Sequence, residues 1–156
     1  VSDIVCGGKT RQESVLKGFA RLKESDNAVL IHDGARPFVD STIINSVATA
    51  LENCNAVTCG VKVKDTIKEI DQNGKVVKTL SREKLVSVQT PQGVTVKEYL
   101  KAAQSVDVSI LTDDMSVMEA AGYEVTVVEG SYKNIKITTK EDIVMAEGFL
   151  SEEEAE

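Results

Sequence analysis

The stretch Ala28-Val29-Leu30-Ile31-His32-Asp33-Gly34-Ala35-Arg36-Pro37-Phe38 constrains the fold more than any other. An apolar run of strand length ends abruptly in charge, then in Gly and Pro, so a buried strand must stop and turn there. It delivers His32, Asp33 and Arg36 to its carboxyl end. In open α/β sheets that edge is where ligands bind. A carboxylate and a guanidinium three residues apart at such an edge suit a metal-bound or phosphorylated ligand. Asp33 directly follows the strand and has no packing role, which leaves ligand or metal contact and helix capping as equal readings. His32, the sole histidine, reads as a structural hydrogen-bonding group.

Around this edge the chain alternates between strand and helix. Ile4-Val5-Cys6 reads as a short strand running into Gly7-Gly8. Thr10 and Glu13 form a capping box for a helix with Val15, Leu16, Phe19, Ala20 and Leu22 on one side. Two glycines before a helix can hold a phosphate on free amides, and Ser14 could add a hydroxyl, although a plain strand-to-helix turn explains them more simply. Asp40 caps a helix to about Asn53, and Ala56 to Val63 returns as a strand, which predicts a right-handed parallel crossover.

Between Lys64 and Val88 the rhythm breaks. Two charged arms, Asp65–Ile70 and Lys75–Leu80, flank Gln72-Asn73-Gly74, a tight-hairpin signal. A lone two-stranded hairpin is marginal in water, so it should lie against something, and a second copy of the chain is a candidate. From position alone Arg82 reads as a solvated cation. Gln89-Thr90-Pro91-Gln92-Gly93 reads as a polar turn, and Thr95 with Glu98 as a capping box. Thr112 is expected to cap a helix with Asp113 and Asp114 in its first turn, where carboxylates match the helix dipole. That helix stops at Gly122, and Glu124 to Val128 follows as a strand. Asn134–Thr139 is a short strand in which Lys136 is either a snorkelling cation or a phosphate contact. Thr139 and Asp142 cap the last helix, and Ser151–Glu156 is a solvated acidic tail.

The resulting expectation is one α/β domain over residues 1–156: a three-layer sandwich with a mainly parallel sheet and a protruding β-hairpin arm at about 64–88. Asp and Glu outnumber Lys and Arg by 25 to 18, a net charge of -7, which argues against a nucleic-acid surface but leaves room for a small phosphorylated ligand. Cys6, Cys54 and Cys59 lack metal-type spacing and suit reduced thiols in a cytoplasmic protein. No apolar run is long enough to span a bilayer, so no membrane partner is expected. The sequence opens without Met, inside what reads as a strand, as a processed or truncated chain would.

Gly7-Gly8 with Arg11-Gln12-Glu13-Ser14-Val15, His32-Asp33-Gly34-Ala35-Arg36-Pro37, Asp65-Thr66-Ile67-Lys68, Gln89-Thr90-Pro91-Gln92, Thr112-Asp113-Asp114 and Asn134-Ile135-Lys136-Ile137-Thr138 stand in the order and spacing of one family. Over nearly its whole length the chain resembles the 2-C-methyl-D-erythritol 4-phosphate cytidylyltransferases of the non-mevalonate isoprenoid pathway. The ribitol-5-phosphate cytidylyltransferases share most of these segments. The resemblance implies a Rossmann-like fold, a homodimer whose hairpin arms embrace, and transfer of a cytidylyl group from CTP to the sugar-alcohol phosphate with magnesium on the triphosphate. It implies that Gly8, Ser14 and Gly34 contact the nucleotide, and that Asp33 lies at the metal and the acceptor. It further implies that Arg36 supports that loop, that Thr112 and Lys136 hold the acceptor phosphate, and that Arg82 and Thr90 do so from the partner's arm. Nothing in the sequence matches the family's opening glycine-rich loop with its Arg and Lys. The expectation is therefore that this chain alone does not turn over CTP, with a non-catalytic dimerising fragment as the alternative.

Overall fold

The computed structural model describes residues 1–23 and 25–153. Helix α1 (Arg11–Phe19) precedes strand β1 (Ala28–Ile31), helix α2 (Ser41–Ala50) and strand β2 (Ala56–Lys62). Strands β3 (Lys68–Ile70) and β4 (Val76–Thr79) form the hairpin, and a 3-10 turn at Arg82–Lys84 leads into the long strand β5 (Val86–Thr95). Helices α3 (Val96–Ser105) and α4 (Asp114–Ala120), strand β6 (Thr126–Glu129) and helix α5 (Lys140–Glu153) complete the order.

The main sheet has the order β1-β5-β2-β6. Strand β5 runs antiparallel to both β1 and β2, and β2 runs parallel to β6. Three of the four strands therefore share one direction, and β5 alone opposes them. The strand–helix–strand unit β1-α2-β2 is parallel as expected, but β5 is inserted between its two strands.

Alternation along the strands sends side chains to two faces. On one face Phe19, Tyr99, Ala102, Met115, Val117 and Met118 from α1, α3 and α4 pack on Ala56 and Val94. On the other, Ile43 and Val47 of α2 pack on Val57 and Cys59. Helix, sheet and helix are thus the three layers. Burying a side chain such as the fully enclosed Val47 contributes about 1.5–3 kcal/mol. Gly93 lets α2 approach this closely: a Cβ there would stand 2.6 Å from Leu51 and 2.8 Å from Val47. Burial also holds the Cys59 thiol against ionisation, pushing its pKa up to about 11.

Several local expectations need correction. Residues 1–9 form no strand, and Ile4 is 87% exposed with no neighbouring ladder. Gln89–Gly93 is not a turn but the middle of β5, with Gln89, Thr90 and Gln92 all buried. Pro91, which cannot donate to a ladder, sits where the β2–β5 register shifts. Asn134–Thr139 forms no strand; one of its ties to the β1 loop is the amide of Ile137 donating to the carbonyl of Ala35 at 2.8 Å. The Thr95–Glu98 capping box does not form, because the Thr95 hydroxyl donates to Asn55 and Glu98 accepts the Tyr123 hydroxyl. The cap of α4 is Asp113 rather than Thr112: its carboxylate accepts from the Ser116 amide at 2.8 Å. The caps at Asp40 and the Thr139–Asp142 pair form as expected; Thr10 caps the Glu13 amide, but the Glu13 carboxylate returns its bond to the Lys9 amide rather than to Thr10.

The hairpin is a sheet of its own. Asn73-Gly74 turns it, with Gly74 at φ +76°, and the Asp71 carboxylate accepts from the amides of Asn73 and Lys75. Ile70, Val76 and Val77 on it are about 60% exposed. The end of the acidic tail, residues 154–156, lies outside the described residues.

Candidate active site

A cavity of about 210 Å³ opens at the carboxyl end of β1, lined by Arg11, Asp33, Arg36, Val88, Gln89, Thr90, Gln92, Thr112, Asp113 and Lys136. Its walls are the loop after β1, the middle of β5, the start of α4 and the segment before α5. Larger hollows exist, but this one alone gathers Asp33, Arg36, Thr112 and Lys136, so chemistry rather than size identifies it.

Strand β1 sends Asp33 into the cavity as the sequence implies. The Lys136 ammonium lies 3.0 Å from its carboxylate and the Arg36 guanidinium 3.5 Å away. Burial works against the charge on Asp33, but Lys136, Arg36 and Arg11 outweigh it, so its pKa is held below the ordinary carboxylate value. Arg36 is further fixed by a 2.8 Å bond from Nη1 to the carbonyl of Asn134, two residues before Lys136. Asn134 is fully buried, and its amide donates to the Thr90 carbonyl at 2.9 Å.

Thr90 links β5 to the β1 loop. Its hydroxyl accepts from the Asp33 amide at 3.0 Å and contacts His32 Nδ1 at 2.9 Å. The other ring nitrogen of His32 faces the Arg36 carbonyl at 3.0 Å, and a carbonyl only accepts, so the proton sits on Nε2 and Thr90 donates to Nδ1. His32 is thus a structural bonding group, as read from the sequence.

On the opposite wall, Gln92 donates to the Asp113 carboxylate at 2.7 Å and accepts from the Asp114 amide at 3.1 Å. Burial again opposes the charge on Asp113, and Ser116, Gln92 and Arg11 overcome it, lowering its pKa. With its cap role given to Asp113, Thr112 stands at the cavity rim.

The structure therefore brings Asp33, Arg36, Thr90, Thr112 and Lys136 together. It does not bring Gly8, Ser14, Gly34 or Arg82 into this cavity. The Gly8 amide donates to Ser14 Oγ at 2.9 Å, and Ser14 borders an apolar hollow between α1 and β1. Gly34 is exposed in the tight turn closed by the Arg36 amide and the Asp33 carbonyl. Arg82 donates to the Lys64 carbonyl at 2.8 Å at the base of the hairpin. Thr90, assigned above to a partner's arm, instead lines this chain's own cavity.

Sequence reasoning gave Arg11, Gln89, Gln92 and Asp113 no place in the site, and Asp113 only a first-turn role on α4. Arg11 carried a usable signal: a cation in the first turn of a helix opposes the helix dipole and calls for a partner elsewhere. The buried glutamines carried none, since their polarity reads as loop.

The arrangement can hold an anion between Lys136, Arg36 and Arg11 while Asp33 stays ionised beside it. Among the described residues no group of three or more metal-type ligands gathers. Asp33 offers one carboxylate, which fits an ion such as magnesium that takes most of its ligands from substrate phosphates and water. No helix among the described residues is long and apolar enough to cross a membrane.

A profile of the family described as IspD, 2-C-methyl-D-erythritol 4-phosphate cytidylyltransferase, matches residues 2–152. A 2-C-methyl-D-erythritol 4-phosphate cytidylyltransferase of Clostridium novyi is 50% identical over 152 residues, covering 96% of this chain and 65% of the relative. One from Bacillus cereus is 49% identical over 146 residues, covering 92% and 64%. The chain thus spans about 65% of the length of these curated relatives. Among solved structures, the 4-diphosphocytidyl-2C-methyl-D-erythritol synthase of Anaerococcus prevotii superposes with a TM-score of 0.87 at 36% identity, covering 94% of this chain and 69% of that one.

Proposed function

Since the chain belongs to the 2-C-methyl-D-erythritol 4-phosphate cytidylyltransferase family, we propose that its cavity serves transfer of a cytidylyl group from CTP to 2-C-methyl-D-erythritol 4-phosphate. A phosphate oxygen of the acceptor attacks the α-phosphorus of CTP, and pyrophosphate leaves. The observation that carries this reading is the meeting of Asp33, Arg36, Thr112 and Lys136 around one cavity from three separate segments of the chain: the loop after β1, the start of α4 and the stretch before α5. Such chemistry needs alignment of two anions and neutralisation of charge, and those groups supply both. Lys136 and Arg36 offset the negative charge of the acceptor phosphate, Thr112 donates to it from the rim, and the Thr90–His32 bonds hold the Asp33 loop in place. Gly8, Ser14 and Gly34 face the nucleotide in this reading. Asp33 would be the one protein ligand of a magnesium ion bound with the triphosphate, which would supply electrostatic stabilisation of the phosphates.

The dimer and the cytoplasmic setting belong to the same reading. A two-stranded hairpin with Ile70, Val76 and Val77 exposed is marginal alone, which supports a second copy as its cover and brings Arg82 to the partner's cavity. An Arg82→Ala chain and a Lys136→Ala chain, each weakened in binding 2-C-methyl-D-erythritol 4-phosphate, should regain tight binding at a fraction of the sites on mixing once subunits exchange, because one site of the heterodimer is then whole. No recovery would overturn the shared site.

The test of this reading is binding of the acceptor. 2-C-methyl-D-erythritol 4-phosphate should perturb the amide resonances of Asp33, Thr112 and Lys136, with ribitol 5-phosphate weaker. The absence of any perturbation by either would overturn the assignment of this cavity.

A further inference from the structure

Asp114 is fully buried, yet it is a carboxylate. It lies beneath the cavity rather than on its wall: Arg11 lines the cavity and Asp114 does not. The Arg11 guanidinium places Nη2 2.6 Å from Asp114 Oδ2, and the Tyr99 hydroxyl donates to Asp114 Oδ1 at 2.6 Å. Tyr99 is itself 1% exposed and stacks on Phe19 of α1 at 4.6 Å. The Gln12 amide oxygen accepts from Arg11 Nη1 at 3.2 Å.

A buried carboxylate costs several kcal/mol of desolvation, and an apolar replacement of such a pair is often the more stable choice. What the charge does give is orientation. One edge of the guanidinium is locked on a carboxylate that no ligand can reach, and the side chain remains 36% exposed towards the cavity. The other two cations of the wall, Arg36 and Lys136, are both committed to Asp33, which is itself on the wall. Arg11 is therefore the wall cation whose counter-charge does not compete with a bound anion for the same space. Its fork suits phosphate oxygens, and its position is fixed before any ligand arrives.

We propose that Arg11 contacts a phosphate of the reactants, and that Asp114 and Tyr99 are positioning residues that aim it. This rests on the phosphate-binding reading of the cavity given above. The phosphate comes either from the acceptor or from the pyrophosphate portion of the nucleotide, and two probes separate these sources.

Calorimetric titration of the chain with 2-C-methyl-D-erythritol 4-phosphate and with inorganic pyrophosphate, each with magnesium, tests it. Replacing Arg11 alone would strand the Asp114 charge, so the informative variant is Arg11→Met with Asp114→Asn, in which the Asn oxygen still accepts from Tyr99. The expected result is a Kd about tenfold higher for the probe that Arg11 meets, at unchanged melting temperature. Should the double variant fail to fold, Arg11→Lys, which keeps the charge and loses the fork, should weaken the same probe several-fold. Tyr99→Phe, which leaves both charges, should give a smaller loss on that probe only. If the wild-type chain binds and these variants bind both probes equally well, Arg11 is a strut between helices and the inference fails. If the wild-type chain binds neither probe, the cavity assignment itself fails, and this inference with it.

Discussion

The middle of β5 and the hairpin arm look alike as sequence and end in opposite surroundings. Both are short and rich in polar groups, flanked by turn-forming residues. Gln89, Thr90 and Gln92 are buried, whereas every residue of β3 and β4 is exposed. The difference is in partners. Each of these three side chains is bonded to a group on another segment: Gln89 to Ser131 and Asn134, Thr90 to His32 and Asp33, Gln92 to Asp113 and Asp114. In the arm the polar contacts are short-range, such as Lys78 with Glu69 at 2.9 Å across the hairpin. Buried polarity of the first kind builds a site, and polarity of the second kind keeps an edge in water.

The comparison breaks first at the cavity. Lys136→Ala should raise the Kd for 2-C-methyl-D-erythritol 4-phosphate about 10- to 100-fold, the range for losing one charged hydrogen bond, with little change in melting temperature; an unchanged Kd would show that the charges of the cavity are structural. Next comes Gln92→Leu. It strips a donor from Asp113 and an acceptor from the Asp114 amide, and should cost about 2–3 kcal/mol in denaturant unfolding, as unsatisfied buried groups do.

Acid should act on the same region. The carboxyls of Asp33 and Asp113 are held below their ordinary value in the folded chain. Their contribution is therefore present above the unfolded carboxylate pKa of about 3.9 and is lost as pH falls through the lower folded values. Stability measured from pH 5 downwards should decline, and should decline less steeply in Lys136→Met, where Asp33 has lost its main partner. The smallest effect is expected in the arm. Val77→Asp should change the stability of the isolated chain by no more than about 0.5 kcal/mol, the usual size for an exposed substitution. In sedimentation it should nonetheless weaken the self-association proposed for the arm; an equal loss in both measurements would mean that the arm is covered within its own chain.

How far the sequence could be read follows from the same contrast. Strand β1, the helices α1, α2 and α5, and the Asn73-Gly74 turn were legible because local rules govern them: apolar periodicity, capping side chains and a glycine at positive φ. Asp33 was legible because a carboxylate that ends an apolar strand has nothing to pack against. Strand β5 was not, since its glutamines are satisfied by residues 21 to 45 positions away, and no local pattern reports such partners. The antiparallel insertion of β5 between two parallel strands was hidden for the same reason. At α4, Thr112 and Asp113 both suit a cap, and only the fold decided between them.

Strand β5 is the centre of the main sheet and also one side of the cavity. Opening the pocket by peeling back that side would tear ladders on both flanks at once. The pocket should therefore breathe only through its loops, and hydrogen exchange at Gln92 and Val94, which are paired on both sides, should match the slowest amides of the domain. Any change of acceptor preference in a relative would then be written in the loop after β1, the rim at Thr112 or the segment around Lys136, and not in the strand that joins them.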